Sequence, residues 1–211
     1  MNENKALAME AKPAFSKTLG DSLQINCLLT KAINGPAIND AVLADLFGKL
    51  ELAGKQQTII EAIRIIDPSI VEIKTIAQNG MVQLYFRTES LMIPVKLSGD
   101  GMCKLLYLIL MILQNPGGTI LIDEIENGFH YSMQEALWRI LAEAARKSNV
   151  QIIATTHSYE CIQHAVDGVE KANMLKEFSL HRLEHMGEES RAIRYDGELL
   201  KDAVLSEMEV R

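Results

Sequence analysis

Leu43, Leu46, Phe47 and Leu50 fall at i, i+3, i+4 and i+7, one face of a helix. Asn39 or Asp40 can cap its start, and Gly54 sits where a C-terminal cap belongs. A second helix follows, with Ile59, Ile63 and Ile66 on one face, and it must stop before Pro68. The period then changes. Ile70–Ala77 and Met81–Arg87 are rich in β-formers and are separated by Gln78-Asn79-Gly80, a hairpin signal. Leu91–Lys96 reads as a third strand, and Pro94 places it at an edge. These elements predict a small antiparallel meander beside a helix pair.

From Ser98 the pattern is cleaner. A helix runs through the apolar stretch Leu105–Leu113 to about Gln114 and ends at Asn115-Pro116-Gly117-Gly118. Thr119–Ile122 is a continuous apolar run, as expected of a strand buried on both faces. Ser132-Met133-Gln134-Glu135 is a capping box. The helix it opens carries Met133, Ala136, Leu137, Ile140, Leu141 and Ala144 on one face, with Trp138 off that stripe. Val150–Thr155 is a second apolar strand, so strand, helix and strand form a parallel crossover. The tail reads as a hairpin of Phe178–Leu183 and Ala192–Tyr195 around Gly187, then a short helix.

Composition narrows the class. The chain has 211 residues, 48% hydrophobic and 23% charged, which is ordinary for one globular domain. Lys+Arg 21 against Asp+Glu 28 leaves −7, which argues against broad nucleic-acid binding and allows only an indirect role there. No apolar run approaches the roughly 20 residues of a membrane span, and the N-terminal MNENKALAMEAKPAF has no apolar secretion core. Cys27, Cys103 and Cys161 are far apart and odd in number, which suits reduced thiols in the cytoplasm. Residues 1–20 show weak periodicity and are expected to be a poorly ordered end; residues 21–97 hold the helix pair and meander, and 98–211 the parallel core.

Three segments can carry chemistry. Thr119-Ile120-Leu121-Ile122-Asp123-Glu124 delivers two carboxylates to the C-terminal end of a strand, the edge where open α/β sheets bind ligands. One acid can hold Mg2+ and the other can orient and deprotonate a water. Ala154-Thr155-Thr156-His157-Ser158 places a histidine on the same sheet edge, where it can stabilise charge on a transferred phosphoryl group. Leu97-Ser98-Gly99-Asp100-Gly101 precedes the apolar helix; glycines, a hydroxyl and a helix N-terminus suit anionic oxygen, although Ser98 could equally be a plain N-cap.

In that order, these segments resemble the C-terminal half of an ABC-type ATPase domain, closest to the SMC/RecF/OLD-like branch of AAA-family ATP-binding proteins. The resemblance covers roughly Pro94–Ile162 with specific motifs and continues loosely on either side. It implies an α/β fold, an incomplete P-loop NTPase domain with a parallel sheet core plus a helical and β-meander subdomain. Leu97, Ser98, Gly99, Asp100 and Gly101 match the signature motif, which in that family contacts the γ-phosphate held by the opposite subunit. Asp100 stands where transporters usually have a second glycine. Asp123 matches the Walker B aspartate at Mg2+, Glu124 the catalytic base and His157 the switch histidine. Glu126-Asn127-Gly128-Phe129-His130 matches the segment that follows Walker B. The implied ligands are ATP and Mg2+.

The departure is the missing phosphate-binding loop, G-x-x-x-x-G-K-[ST]. Gly-Lys occurs only at Gly48-Lys49 and Gly54-Lys55, and neither is followed by Ser or Thr. The resemblance puts that loop's strand beside the one ending at Thr155, so this edge is expected to be unpaired and prone to association. The resulting reading is an ATP-binding and ATP-hydrolysing module completed by a homodimer or by a Walker A-bearing segment or partner chain. Two alternatives stand beside it: a non-catalytic remnant acting as an interaction module, and a metal-dependent hydrolase using Asp123, Glu124, Glu126 and His130.

Overall fold

The computed structural model describes residues 5–9, 38–78, 80–186, 189–208 and 210, with 5–9, 185–186 and 189–190 described by their backbone only. In chain order the elements are β1 (Lys5–Met9), α1 (Asp40–Leu52), α2 (Gln56–Arg64), β2 (Glu72–Gln78), β3 (Met81–Arg87) and β4 (Met92–Pro94). Then come α3 (Asp100–Gln114), β5 (Thr119–Ile122), α4 (Tyr131–Ser148), β6 (Gln151–Thr156), α5 (Tyr159–Lys171), β7 (Phe178–Met186), β8 (Glu189–Asp196) and α6 (Gly197–Leu205).

The local signals of the first half hold. Asn39 caps α1, its side chain accepting the Ala41 N–H at 2.9 Å, and Gly54 takes φ +72° after the last turn. α2 buries Ile59, Ile60 and Ile63. Gln78 pairs with Met81 in the antiparallel β2–β3 hairpin, and Pro94 opposes Tyr85 on the edge strand β4. The turn residue Asn79 lies outside the described residues.

α3 is the central helix. Leu105, Leu106, Leu108, Ile109, Leu110 and Ile112 are all fully buried, as a helix apolar on every side must be. It packs on α1, α2 and α4. Each such side chain contributes about 1.5–3 kcal/mol by leaving water, which anchors the N-terminus of α3 beside the second sheet.

That sheet has five strands in the order β5-β6-β1-β7-β8. β5 and β6 run parallel, Ile120 opposite Ile152 and Ile122 opposite Ala154, joined by α4 as the crossover predicts. The other pairings are antiparallel, so the parallel core consists of one pair within a mixed sheet. Four sequence expectations change here. β6 is not an open edge, because β1 pairs with it along Lys5–Met9 and with β7 on its other side; the strand lies within the segment expected to be loosely tied, of which residues 1–4 and 10–20 are outside the description. β5 is at the sheet edge, with Ile120 and Ile122 buried and Thr119 and Leu121 only half-buried. α4 begins at Tyr131 and is capped by His130, whose Nδ1 accepts the Ser132 N–H, rather than by Ser132. Trp138 is buried to 1% exposure, its ring edge-on to Phe178 at 6.1 Å.

α5 is an element the sequence reading lacked. Ser158 caps it by accepting the Cys161 N–H at 3.1 Å, and it lies against α4 so closely that a Cβ on Gly168 would meet Trp138 Cβ at 2.7 Å.

Candidate functional site

β5 stops at Ile122, so Asp123 and Glu124 lie in the turn beyond the strand and not on its two faces. One residue of the neighbouring strand organises both. The Thr155 hydroxyl donates to Asp123 Oδ1 at 2.5 Å and accepts the Glu124 N–H at 2.9 Å. The Thr155 carbonyl accepts the Ile125 N–H at 3.1 Å. These bonds hold Glu124 at φ +45°, a left-handed backbone that costs a non-glycine residue about 1–3 kcal/mol.

The Glu124 side chain is held from both sides. Oε2 accepts a hydrogen bond from Asn127 Nδ2, and Oε1 is 3.9 Å from His157 Nε2. The His157 main chain is fixed in turn, its N–H donating to Glu126 Oε1 at 3.0 Å. Asp123, Glu124 and His157 therefore converge at the tips of the parallel pair, as their sequence positions predict.

The start of α3 meets this loop from below. A Cβ on Gly101 would meet the Gly128 carbonyl oxygen at 2.9 Å, so the helix and the loop touch backbone to backbone. Lys104, one turn further on, is buried and donates to the Asn127 carbonyl at 2.6 Å and the Ile125 carbonyl at 3.3 Å. Its ammonium also stands 5.2 Å from the centre of the Phe129 ring. Burial holds the Lys104 pKa below the ordinary lysine range, against the pull of Glu126 and Glu124. Sequence reasoning passed over Lys104 and Thr155. A lone cation inside an apolar helix was a signal for the first; the second depends on a strand neighbour 31 residues away.

Within the signature-like segment, Gly99 rather than Ser98 caps α3, at φ +99°. The Ser98 hydroxyl donates to the Val95 carbonyl at 2.5 Å, and Leu97 is 77% exposed. Asp100 stands in the first turn of the helix.

The ligand chemistry can be tested against these groups. Mg2+ takes oxygen ligands, and the Asp123 carboxylate at the strand end fits that ion, leaving Glu124, whose oxygens meet Asn127 and His157, for another role. A phosphate cradle does not come from either Gly-Lys pair: Lys49 binds Asp45 at 2.6 Å and Lys55 donates to the Leu113 carbonyl at 3.1 Å. Among the described residues no three His, Cys, Asp or Glu converge to hold a metal ion. His130 is spent on the α4 cap, 2.8 Å from Ser132 Oγ, so the hydrolase set of Asp123, Glu124, Glu126 and His130 is not assembled. Also among the described residues, no helix is long and apolar enough to cross a membrane.

The α/β sheet, with its parallel pair joined by α4, fits a P-loop NTPase-like fold. The family described as "AAA domain, putative AbiEii toxin, Type IV TA system" matches residues 43–162, more than half of the chain. The chain belongs to that family. An "ATP/GTP phosphatase" of Helicobacter pylori (strain ATCC 700392 / 26695) is 31% identical over 88 residues, 40% of this chain and 24% of the relative. The chain thus spans about a quarter of that relative's length. A solved chain from work titled "Structural biochemistry of ATP-driven dimerization and DNA stimulated activation of SMC ATPases" superposes with a TM-score of 0.51 at 13% identity. The match covers 78% of this chain and 96% of that one, and it establishes the fold alone.

Proposed function

We propose that the chain is the acid-pair half of a Mg2+-dependent ATPase, completed by a Walker A-bearing segment or partner chain. The observation that carries this reading is the Thr155 stitch, which sets Asp123 and Glu124 side by side with His157 3.9 Å from Glu124. Bound Mg2+ supplies charge neutralisation across phosphate oxygens. Asp123 would hold the ion. Glu124, with Asn127 fixing one oxygen, takes the proton of the attacking water, and His157 donates to the charge that develops on the phosphoryl group. Leu97, Ser98, Gly99, Asp100 and Gly101 face the nucleotide held by the other subunit, with residues 98–211 joined by β1 as the core and 21–97, of which 21–37 lie outside the described residues, as the supporting segment. The partner relation is supported by the fold likeness to an SMC ATPase whose title names ATP-driven dimerisation. Any contact with nucleic acid would be indirect. The buried free thiols of Cys103 and Cys161 suit the cytoplasm.

The test is titration of the chain with a fluorescent ATP analogue and Mg2+, with light scattering to follow mass, then hydrolysis by wild type and Glu124→Gln. Saturable binding with a rise in mass is expected once the Walker A-bearing segment or partner is supplied, and in that assembly the substitution lowers turnover about 10²–10⁴-fold, the usual worth of a positioned base. Turnover that survives Glu124→Gln refutes the role of Glu124. A second reading, an interaction module without hydrolysis, is favoured by the engagement of Lys49 and Lys55 elsewhere; Mg2+–ATP binding at micromolar affinity would dispose of it.

A further inference from the structure

The loop after the acid pair carries a third carboxylate, Glu126, whose two oxygens have unlike surroundings. Oε1 accepts the His157 N–H across 31 residues of sequence. Oε2 is buried without a hydrogen-bond partner. A bare buried oxygen of this kind is costly unless positive charge stands near. Lys104 supplies that charge, since Glu126 is the strongest influence favouring its ammonium form. The same ammonium grips the carbonyls of Ile125 and Asn127, the residues on either side of Glu126. The main chain on both flanks of Glu126 is therefore held from α3, and its Oε1 reaches across the sheet tips to the start of the segment that follows β6. The other groups in electrostatic reach are Glu124 in its own loop and Cys161 on α5.

What this clamp fixes is the main chain of His157, and with it the 3.9 Å separation between the imidazole and Glu124. We propose that Glu126 is a positioning residue: held by Lys104, it sets the His157 backbone so that the imidazole faces Glu124. The proposal rests on the hydrolytic reading for its purpose, but its geometry is testable without nucleotide. His157 is placed by a carboxylate in the loop as well as by the end of β6 that precedes it, so α3, the acid loop and β6 act as one bracket.

The experiment is amide hydrogen exchange and proton chemical shift at His157 in the 15N-labelled full chain, for wild type, Glu126→Ala and Glu126→Gln. In Glu126→Ala the His157 amide exchanges about tenfold faster or more, the fold-change that corresponds to losing one hydrogen bond to a charged group. Glu126→Gln keeps an acceptor oxygen, so protection returns while the amide proton moves upfield as the acceptor loses its charge. If Glu126→Ala does not fold, the glutamine variant still decides: an unchanged His157 amide shift overturns the proposal, as does equal protection in the alanine variant. In an assembly that turns over ATP, Glu126→Ala lowers kcat with KM for Mg2+–ATP little changed, and Glu126→Gln recovers most of the loss. A defect confined to KM overturns the positioning role. Absence of turnover in the wild type would defeat the hydrolytic reading and leave the amide result standing.

Discussion

Glu124 holds a left-handed backbone that glycine would adopt without strain, so replacing it by Gly and by Ala separates the backbone from the carboxylate. Both variants lose the side chain and its bond from Asn127 equally. Alanine at φ +45° keeps a left-handed penalty of about 1–2 kcal/mol, whereas glycine pays roughly 0.4–1 kcal/mol more for ordering its freer unfolded chain. The balance makes Glu124→Gly more stable than Glu124→Ala by about 0.5–1 kcal/mol. Urea denaturation reads this as a midpoint higher by about 0.2–0.5 M for a slope of roughly 2–3 kcal/mol/M. Glu143, in mid α4 and paired with Arg139 at 3.0 Å, is the control. There helix propensity gives the usual order, Ala above Gly by about 1 kcal/mol. An alanine variant at 124 as stable as the glycine variant would refute the reasoning, because the turn would then have relaxed out of the left-handed region.

Thr155→Val keeps the branched shape but removes the hydroxyl that donates to Asp123 and accepts the Glu124 N–H; about 2–4 kcal/mol is lost in urea denaturation, whereas Thr155→Ser loses less than about 1 kcal/mol. Equal losses in the two variants would remove the hydroxyl from the account. Burial pushes the Cys161 thiol up to about 11. An acid whose folded pKa is raised keeps its proton while the unfolded thiol ionises, so stability falls as pH rises from about 9 to 11. Cys161→Ala flattens that fall by up to about 2–3 kcal/mol at the upper end, and parallel stability curves for the two proteins would count against it. Gly168→Ala forces α4 and α5 apart, because its Cβ would meet Trp138 Cβ at 2.7 Å and Arg139 N at 2.9 Å. A loss of about 1–3 kcal/mol follows, while Gly48→Ala, with open space around it, gains about 0.5–1 kcal/mol in thermal unfolding.

The legible part of the sequence was its local part. Periodicity and caps marked α1, α2, the meander, α3 and the β5–α4–β6 crossover because each signal lies within one element. The misses share a cause. A strand as short as Lys5–Met9 has no signature of its own and is defined by β6 and β7 on either side. Trp138 looked off-stripe because one apolar face was counted, whereas α4 is covered by α3 on one side and α5 on another. His130 took the capping role expected of Ser132 since an imidazole nitrogen can accept the same N–H. At the site, Asp123, Glu124 and His157 followed from position at the strand ends. Thr155, Glu126 and Lys104 act over separations of 21 to 32 residues, which no window of sequence displays.

The pairing of β6 on both sides bears on how a phosphate-binding segment reaches the acid pair on the proposed reading. Strand addition beside β6 is closed while β1 occupies that edge, since a strand offers one ladder of donors and acceptors on each side. What stays accessible is the outer edge of β5 and the end of the sheet by the start of α3, which touches Gly128 and is preceded by Leu97, 77% exposed. An end-on arrival contributes phosphate contacts but no backbone support to the loop between Glu124 and Phe129. The loop must then hold its shape before anything binds, which is the condition for electrostatic preorganisation. Thr155 from β6 and Lys104 from α3 meet it with bonds internal to the chain, and that is why the carboxylates stand in place with a strained Glu124 instead of waiting for a partner to order them.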